Sequence, residues 1–313
     1  MSGGADPVRA TFWLLEAPDS LARQSRREPD GTGLGIFAPD GRPVVSKQPL
    51  AAYGDQQFAR EAREVDSRAF VAHVRYASNG GLTMANTHPF EQRDRLFAHN
   101  GVIGDLAALE HELGDALSLV GGETDSERFF ALITREIEHR GDVAEGIERA
   151  ARWVAEHLPV LSLNFVLVTA DGLWALRYPA THELHVLERA PGGPHGAHHL
   201  EHASTRGSIR VRSAGLAQRP AVIVATERMD EDAGWRELES GELLHVDGHL
   251  GVSTKRVLHS PPAHPLTLAD LDPRAAASQR AATEAEPEGG AAAEPEGGAV
   301  AEPEGAAKAG SQR

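Results

Sequence analysis

A chain of 313 residues with 41% hydrophobic side chains carries enough apolar material for one large packed domain or two small ones. Its formal charge of −15 excludes a nucleic-acid binder, which needs a basic face against phosphates, and its lack of cysteine excludes disulfides and thiolate metal sites. It has no apolar run of about eighteen residues and no charged-then-apolar leader, so no membrane span is expected and a soluble, cytoplasmic protein is.

The first residues, Met1 to Pro7, are small and loop-like. Phe12 to Leu15 and then Leu21 suggest two short helices broken at Pro18, the second capped by Ser20. Pro29 to Gly35 is rich in turn residues and leads into a strand at Leu34–Phe37. Its Gly31-x-Gly33-x-Gly35 pattern invites a phosphate-loop reading, but neither Gly-Lys-Ser/Thr nor a helix follows, so nucleotide binding is not expected. Asp40-Gly41 reads as a hairpin turn toward Val44-Val45, and Gln57 to Val65 is helical in period.

The densest chemistry lies between His73 and Gly101. Ala69 to Val74 reads as a strand that delivers Arg75 to a sheet end, and Leu96-Phe97-Ala98 reads as a second short strand ending at Asn100-Gly101. A guanidinium is a bidentate carboxylate binder, and an Asn amide beside a Gly N–H is a pair of donors suited to an oxyanion. Asn-Gly is equally the signature of a tight hairpin turn.

Leu106 to Leu113 reads as a short helix. Thr124-x-x-Glu127 has the form of a capping box heading a long helix with Phe129, Phe130, Leu132, Ile133 and Ile137, where Asp125 also suits the helix dipole. Val143 to Leu158 reads as a second helix. Strands are expected at Leu161–Val168, Trp174–Tyr178, Glu183–Leu187, Ser208–Val211, Ala221–Ala225, Glu242–Val246 and Leu250–Ser253. Strands, two helices, then strands again permit two sheets with helices packed outside. His195 to His202 gathers four histidines in a Gly/Pro loop, a poor preformed metal site, so no metal is expected. Thr226-Glu227-Arg228 follows a strand without a role that can be read from its residues. Beyond Leu258 the composition turns to Pro, Ala, Glu and Gly, with a Glu-Pro-Glu-Gly repeat; residues 1–258 are expected to form the domain and 259–313 a tail disordered from Arg274 onward.

Three blocks, Val71-Ala-His-Val-Arg-Tyr-Ala-Ser-Asn-Gly80, Asn86-x-His-Pro-Phe90 and Phe97-Ala-His-Asn-Gly101, resemble the glutaminase domain of class II glutamine amidotransferases. They look closest to small stand-alone members such as the γ-glutamyl hydrolase of ergothioneine biosynthesis. The likeness runs from about Val8 to Val257. It implies an α+β fold, the four-layer αββα sandwich of N-terminal-nucleophile hydrolases. It implies glutamine or a γ-glutamyl amide as substrate, no cofactor, and room for an ammonia-accepting partner protein. Arg75 would grip the substrate α-carboxylate, Asp125 its α-amino group, and Asn100 with the Gly101 N–H would form the oxyanion hole. His88 would line the substrate site, with Asp30-Gly31 in a bordering loop.

One element of the family pattern is missing. Its nucleophile is an N-terminal cysteine opening a short strand of the type Cys-Arg-Leu-Phe-Gly, and here no cysteine exists. The chain enters the pattern in the loop after that strand. The expectation is therefore a truncated, inactive form of an amidohydrolase whose true start lies upstream, with Ser2-Gly3-Gly4 as loop, an unpaired sheet edge, and activity restored by Cys-Arg-Leu-Phe-Gly placed ahead of Ser2. Ser2 as substitute nucleophile is disfavoured because it lies too few residues before Val8. A nonenzymatic glutamyl-binding relative or regulatory subunit is the alternative.

Overall fold

A computed structural model describes residues 1–77, 80–190, 200–203, 210–213 and 219–281, and Met1–Thr283 form one compact unit. A single π-helical turn, Phe12–Glu16, and α1 (Leu21–Gln24) flank Pro18 as the sequence suggests. Ser20 stands at the N-cap of α1, yet its hydroxyl makes no cap bond. The chain continues through β1 (Gly31–Phe37), β2 (Pro43–Gln48), α2 (Gln56–Glu64), β3 (Phe70–Arg75), β4 (Phe90–Gln92), β5 (Arg95–Ile103) and α3 (Leu106–Leu113). Then come α4 (Asp125–Arg140), α5 (Val143–His157), β6 (Pro159–Val168), β7 (Gly172–Arg177), β8 (His185–Arg189), β9 (Leu200–Ala203) and β10 (Arg210–Ser213). β11 (Ala221–Ala225), β12 (Arg236–Glu237), β13 (Glu242–Asp247), β14 (Val252–Arg256), β15 (His264–Pro265) and α6 (Pro273–Ala281) complete it.

The larger sheet has the order β14-β13-β7-β6-β5-β4, with β15 pairing parallel to β6. Facing it are β2-β1-β3 and β11-β8-β12. Alternation along β5 shows why four layers result. Leu96 and Ala98 point into the apolar layer between the sheets with Val71, Val168, Val222 and Leu244, while Phe97 points the other way. There Phe97 stacks on Phe130 of α4 with centroids 4.7 Å apart, and α4 and α5 cover that face. On the outer side of the second sheet, Phe70 and Val74 pack with Leu14, Phe58 and Ala62 from the helices near the start of the chain. The arrangement is α+β in the order αββα, as expected.

The glycines of β1 serve packing. A Cβ on Gly33 would lie 1.9 Å from the His88 carbonyl oxygen, and one on Gly35 would lie 2.9 Å from Leu96 and Pro89. β1 runs flush against the His88–Pro89 segment, which only a bare backbone permits. That accounts for the Gly-x-Gly-x-Gly spacing without a phosphate.

Four expectations need correction. Asn100-Gly101 is no turn: β5 continues to Ile103 because Asn100 and Gly101 pair with Asn164 and Leu163 of β6. Ser2-Gly3 is no loop either. Ser2 bridges Ala69 and Val222, so Met1–Gly3 joins β3 to β11 and partly fills the edge expected to lie unpaired. Order does not end at Arg274: α6 spans Pro273–Ala281, with Asp272 accepting from the Arg274 and Ala275 N–H groups at its start. Consequently residues 259–281 are not tail. The Glu-Pro-Glu-Gly repeats and His195 to His199 lie outside the described residues, while His202 belongs to β9.

Candidate active site

Arg75, at the C-terminal end of β3, is buried, and its Nη1 donates to the Gly81 carbonyl at 3.1 Å. Its own carbonyl accepts from the Asp30 N–H at 2.8 Å, and the Asp30 carboxylate accepts from the Ala77 N–H at 2.9 Å. The loop after β3 is thereby tied to the start of β1. Desolvation lowers the Arg75 pKa, opposed by nearby Asp30.

β5 supplies Asn100 and Gly101. On β6, the Leu163 N–H donates to the Tyr178 carbonyl just after β7, so the backbone groups of Ser162 and Asn164 face β5. Asn100 and Val102 therefore turn toward β6, and the backbone N–H of Gly101 points to the opposite edge. There β4 has already ended, its last partner on β5 being Phe97. The Ile103 N–H, of the same parity, is taken by the Asp125 carboxylate at 2.8 Å. Gly101 must be glycine, since a Cβ would stand 2.0 Å from the Ser162 carbonyl oxygen.

Thr124 caps α4 by accepting from the Glu127 N–H at 3.2 Å, but only half of the capping box forms. The Glu127 carboxylate instead accepts from the Gly121 and Gly122 N–H groups. Asp125 thus sits buried in the first turn, pinned to the end of β5. Arg75, His88, Asn100, Gly101 and Asp125 all line one cavity of about 200 Å³.

Three histidines, His88 and His99 buried and His73 half-buried, line this cavity. His99 has its Nε2 3.2 Å from the Ser162 carbonyl, which fixes the proton there, so Nδ1 accepts from the Ser126 hydroxyl at 2.9 Å. His73 stacks on His88 with centroids 4.2 Å apart, and His88 meets the Phe90 ring edge-on. Both ring nitrogens of His88 are buried without a hydrogen-bond partner among the described residues. Burial pushes His73 down to about 3 and His88 well below the usual imidazole range, and it lowers His99 as well. All three rings are neutral at pH 7. No cluster of three or more His, Asp or Glu among the described residues could hold a metal ion.

Glu28 and Glu227 also line the cavity. Burial raises Glu28 to about 7 and Glu227 to about 8, the latter also through its hydrogen bond with Asp19 and against the opposing Arg27, whose Nη2 lies 2.8 Å from it. These groups set a pH dependence with two limbs. Unfolded histidines take up protons below 6.5 while the folded ones resist, so stability is lost as pH falls from 6.5 toward 3. Unfolded carboxyls release protons near 4.5 while Glu28 and Glu227 hold theirs, so their contribution, full below 4.5, is lost as pH rises through 7 to 8. Thermal unfolding across pH should show both limbs, and Glu28→Gln with Glu227→Gln should flatten the alkaline limb and leave the acid limb in place. An alkaline limb unchanged in the double variant would remove these carboxyls as its cause.

The cavity continues as a slot between two strands. Met1 and Phe70 exchange backbone hydrogen bonds, as do Ser2 and Val222. By the alternation of an antiparallel ladder, Ala72 and Val74 of β3 and Val224 of β11 aim their N–H and C=O groups the same way, into the cavity they line. In this register Met1 lies opposite Phe70 and each earlier position lies opposite the next residue of β3, so the fifth position before Met1 lies opposite Arg75. Faces alternate too. Ala69 and Val71 belong to the inter-sheet layer, whereas Phe70 and Val74 face the outer helices. A side chain five positions before Met1 would therefore share the inner face with Arg75. Ser2 shares that face but lies six positions further along, roughly 20 Å at the rise of a strand, and does not line the cavity.

The structure thus brings Arg75, His88, Asn100, Gly101 and Asp125 together in one cavity, and leaves Ser2, Asp30 and Gly31 outside its lining. It adds Asn164, whose amide donates to the His182 and Glu183 carbonyls, and Ser278 and Gln279 of α6. Asn164 stands inside the apolar run of β6, a polar residue at a position that hydrophobic patterning would fill, and that was its only local signal.

A family model described as class-II glutamine amidotransferases matches residues 19–265. An uncharacterized protein of Methanocaldococcus jannaschii is 31% identical over 258 residues, covering 76% of this chain and 67% of that protein. The glutamine–fructose-6-phosphate aminotransferase of Idiomarina loihiensis is 30% identical over 151 residues, 48% of this chain and 24% of the enzyme. Among solved structures, the allosteric regulatory enzyme of purine biosynthesis superposes with a TM-score of 0.58 at 20% identity, covering 80% of this chain. The glutamine phosphoribosylpyrophosphate amidotransferase of B. subtilis does so at 0.56 and 18%, covering 81%. The matched part spans about half of each of these two structures, 46% and 48%. At such identity they speak for the fold alone.

Proposed function

Because this chain belongs to the class-II glutamine amidotransferase family, we propose that its cavity holds the glutamyl part of glutamine or of a γ-glutamyl amide and that it works as an amidohydrolase once a nucleophile-bearing strand fills the slot between β3 and β11. The observation that carries this reading is the convergence, in one cavity, of Arg75, Asp125 and the Asn100–Gly101 pair at the end of that slot. Arg75 would take the α-carboxylate and Asp125 the α-ammonium, giving each half of the zwitterion an opposite charge. The side-chain carbonyl would then point to the Asn100 amide and the Gly101 N–H.

The proposed chemistry follows from that pose. A cysteine thiol on the slot strand attacks the amide carbon as its own α-amine takes the S–H proton. The carbonyl oxygen gains charge between the two donors, the C–N bond breaks as the α-ammonium returns the proton to the amine, and water then hydrolyses the thioester to glutamate. With glutamine the product is ammonia, which an accepting partner protein could use. His88, neutral and without a partner for either ring nitrogen among the described residues, adds a polar group to the same wall.

Isothermal titration of the chain as it stands tests the clamp without needing a nucleophile. L-Glutamate should bind saturably, whereas glutarate, which lacks the α-amine, and 4-aminobutyrate, which lacks the α-carboxylate, should bind at least tenfold more weakly. Equal affinity for all three would refute a zwitterion clamp at Arg75 and Asp125.

A further inference from the structure

α6 lies beyond the last residue matched by the family, 265, and its packing is unlike that of the other helices. Its buried face consists of Ala275, Ala276, Ser278 and Gln279, none of which belongs to any of the four apolar clusters. Ser278 and Gln279 instead line the cavity. A helix that buries small and polar side chains against a polar cavity adds little to the core; its position must serve the cavity.

Two polar contacts fix it there, one to the loop beside Arg75 and one to His182. Arg274 Nη2 lies 3.3 Å from the carboxylate of Asp30, the residue that ties the loop after Arg75 to β1. One turn and a half further on, Gln279 Oε1 lies 2.8 Å from His182 Nε2, and Gln279 Nε2 donates to the Ser278 hydroxyl. The His182 carbonyl in turn accepts from Asn164, the residue opposite Asn100 in the β5–β6 ladder. The helix therefore links the Asp30 loop beside Arg75 to the His182–Asn164 contact beside Asn100.

We propose that α6 is the closing wall of the glutamyl pocket, with Ser278 and Gln279 determining which γ-glutamyl compounds fit and Arg274 and Gln279 holding the wall shut. This rests on the glutamyl reading of the cavity above. A wall with a neutral polar lining and no bulky side chain suits a compact glutamyl group carrying a small amide and rejects one carrying a large aromatic amine.

Titration calorimetry on the full chain, on a chain ended after Leu271, on one ended after Thr283, and on the full-length Arg274→Ala/Gln279→Ala variant tests it, with L-glutamate and γ-L-glutamyl-p-nitroanilide as probes. Removal of α6, or the double variant, should weaken L-glutamate at least tenfold while weakening the anilide less, so that the preference between the two narrows. The chain ended after Thr283 should match the full chain. Unchanged glutamate affinity and preference in both the chain ended after Leu271 and the double variant overturn the wall. If the full chain binds neither probe, the glutamyl reading fails instead. Hydrogen exchange then decides the wall alone: exchange of the Tyr76 and Ala77 amides should quicken when α6 is removed, and unchanged exchange there overturns it.

Discussion

A chain carrying Cys-Arg-Leu-Phe-Gly directly ahead of Met1, behind an initiator methionine that is removed, should hydrolyse glutamine or a γ-glutamyl amide. The same peptide shortened by one residue should not. The reason is the register set by Met1 and Phe70. Five added residues bring the cysteine opposite Arg75 and onto the inner face, toward the cavity that Asn100, Gly101 and Asp125 line. Four bring it opposite Val74 and onto the face packed against the outer helices, because a strand presents successive side chains to opposite sides. The placement ahead of Ser2 expected from the sequence has the second outcome, since it replaces Met1 and loses one residue of register. Replacing the added cysteine by alanine should remove activity by roughly a factor of 10⁶, the scale of losing a nucleophile while binding groups remain. Ammonia or glutamate release is the measurement. Activity of equal size from the two lengths would sink the register, and none from either, with the glutamate clamp intact, would favour the binding-only relative.

The layered fold was legible because it depends on patterns that repeat. The 3.6-residue period of α4 and α5 and the apolar run of β6 put Phe97, Phe129, Phe130 and Phe165 in one cluster, and no distant residue could overturn that. Arg75, Asp125 and Asn100 were legible through a resemblance that spacing alone would not have supplied. What could not be read was decided by partners far along the chain. Asn100-Gly101 carries the local signature of a turn, yet pairing with a strand some sixty residues later keeps it extended. Met1 to Gly3 has no strand propensity and takes extended form only because Phe70 and Val222 offer backbone partners on both sides. α6 sits at the start of a Pro/Ala/Glu-rich stretch, and Ala and Gln carry no hydrophobic period to announce it. Its contacts with Asp30 and His182 are visible only in three dimensions. Glu28 and Glu227 belong to the same class: nothing local marks a carboxyl whose pKa is set by a cavity assembled from β3, β5, β11 and the helices near the start of the chain.

The clamp residues themselves should show the largest losses in binding. Arg75→Ala should weaken L-glutamate by about 1.5–3 kcal/mol, roughly 10- to 150-fold, the range for a hydrogen bond to a charged group. Arg75→Lys keeps the charge and loses the planar fork, so it should recover only part of that affinity. Asp125→Asn should be comparably severe for a different reason. Its carboxylate also takes the Ile103 N–H at 2.8 Å, a bond the amide oxygen of asparagine can still accept, so the fold should survive while the negative charge is lost. The signature separating the two variants lies in the ligands. Arg75→Ala should lower affinity for L-glutamate to near that of 4-aminobutyrate, which has no α-carboxylate to lose. Asp125→Asn should lower it to near that of glutarate, which has no α-amine. Arg75 is buried and bonded to Gly81, so a structural role is the competing account of any loss, and it makes a different prediction. A general collapse of the pocket would weaken 4-aminobutyrate in Arg75→Ala and glutarate in Asp125→Asn by the same factor as glutamate in each. It would also lower the thermal midpoint, whereas a clamp acting group by group leaves the ligand that lacks the matching charge unaffected.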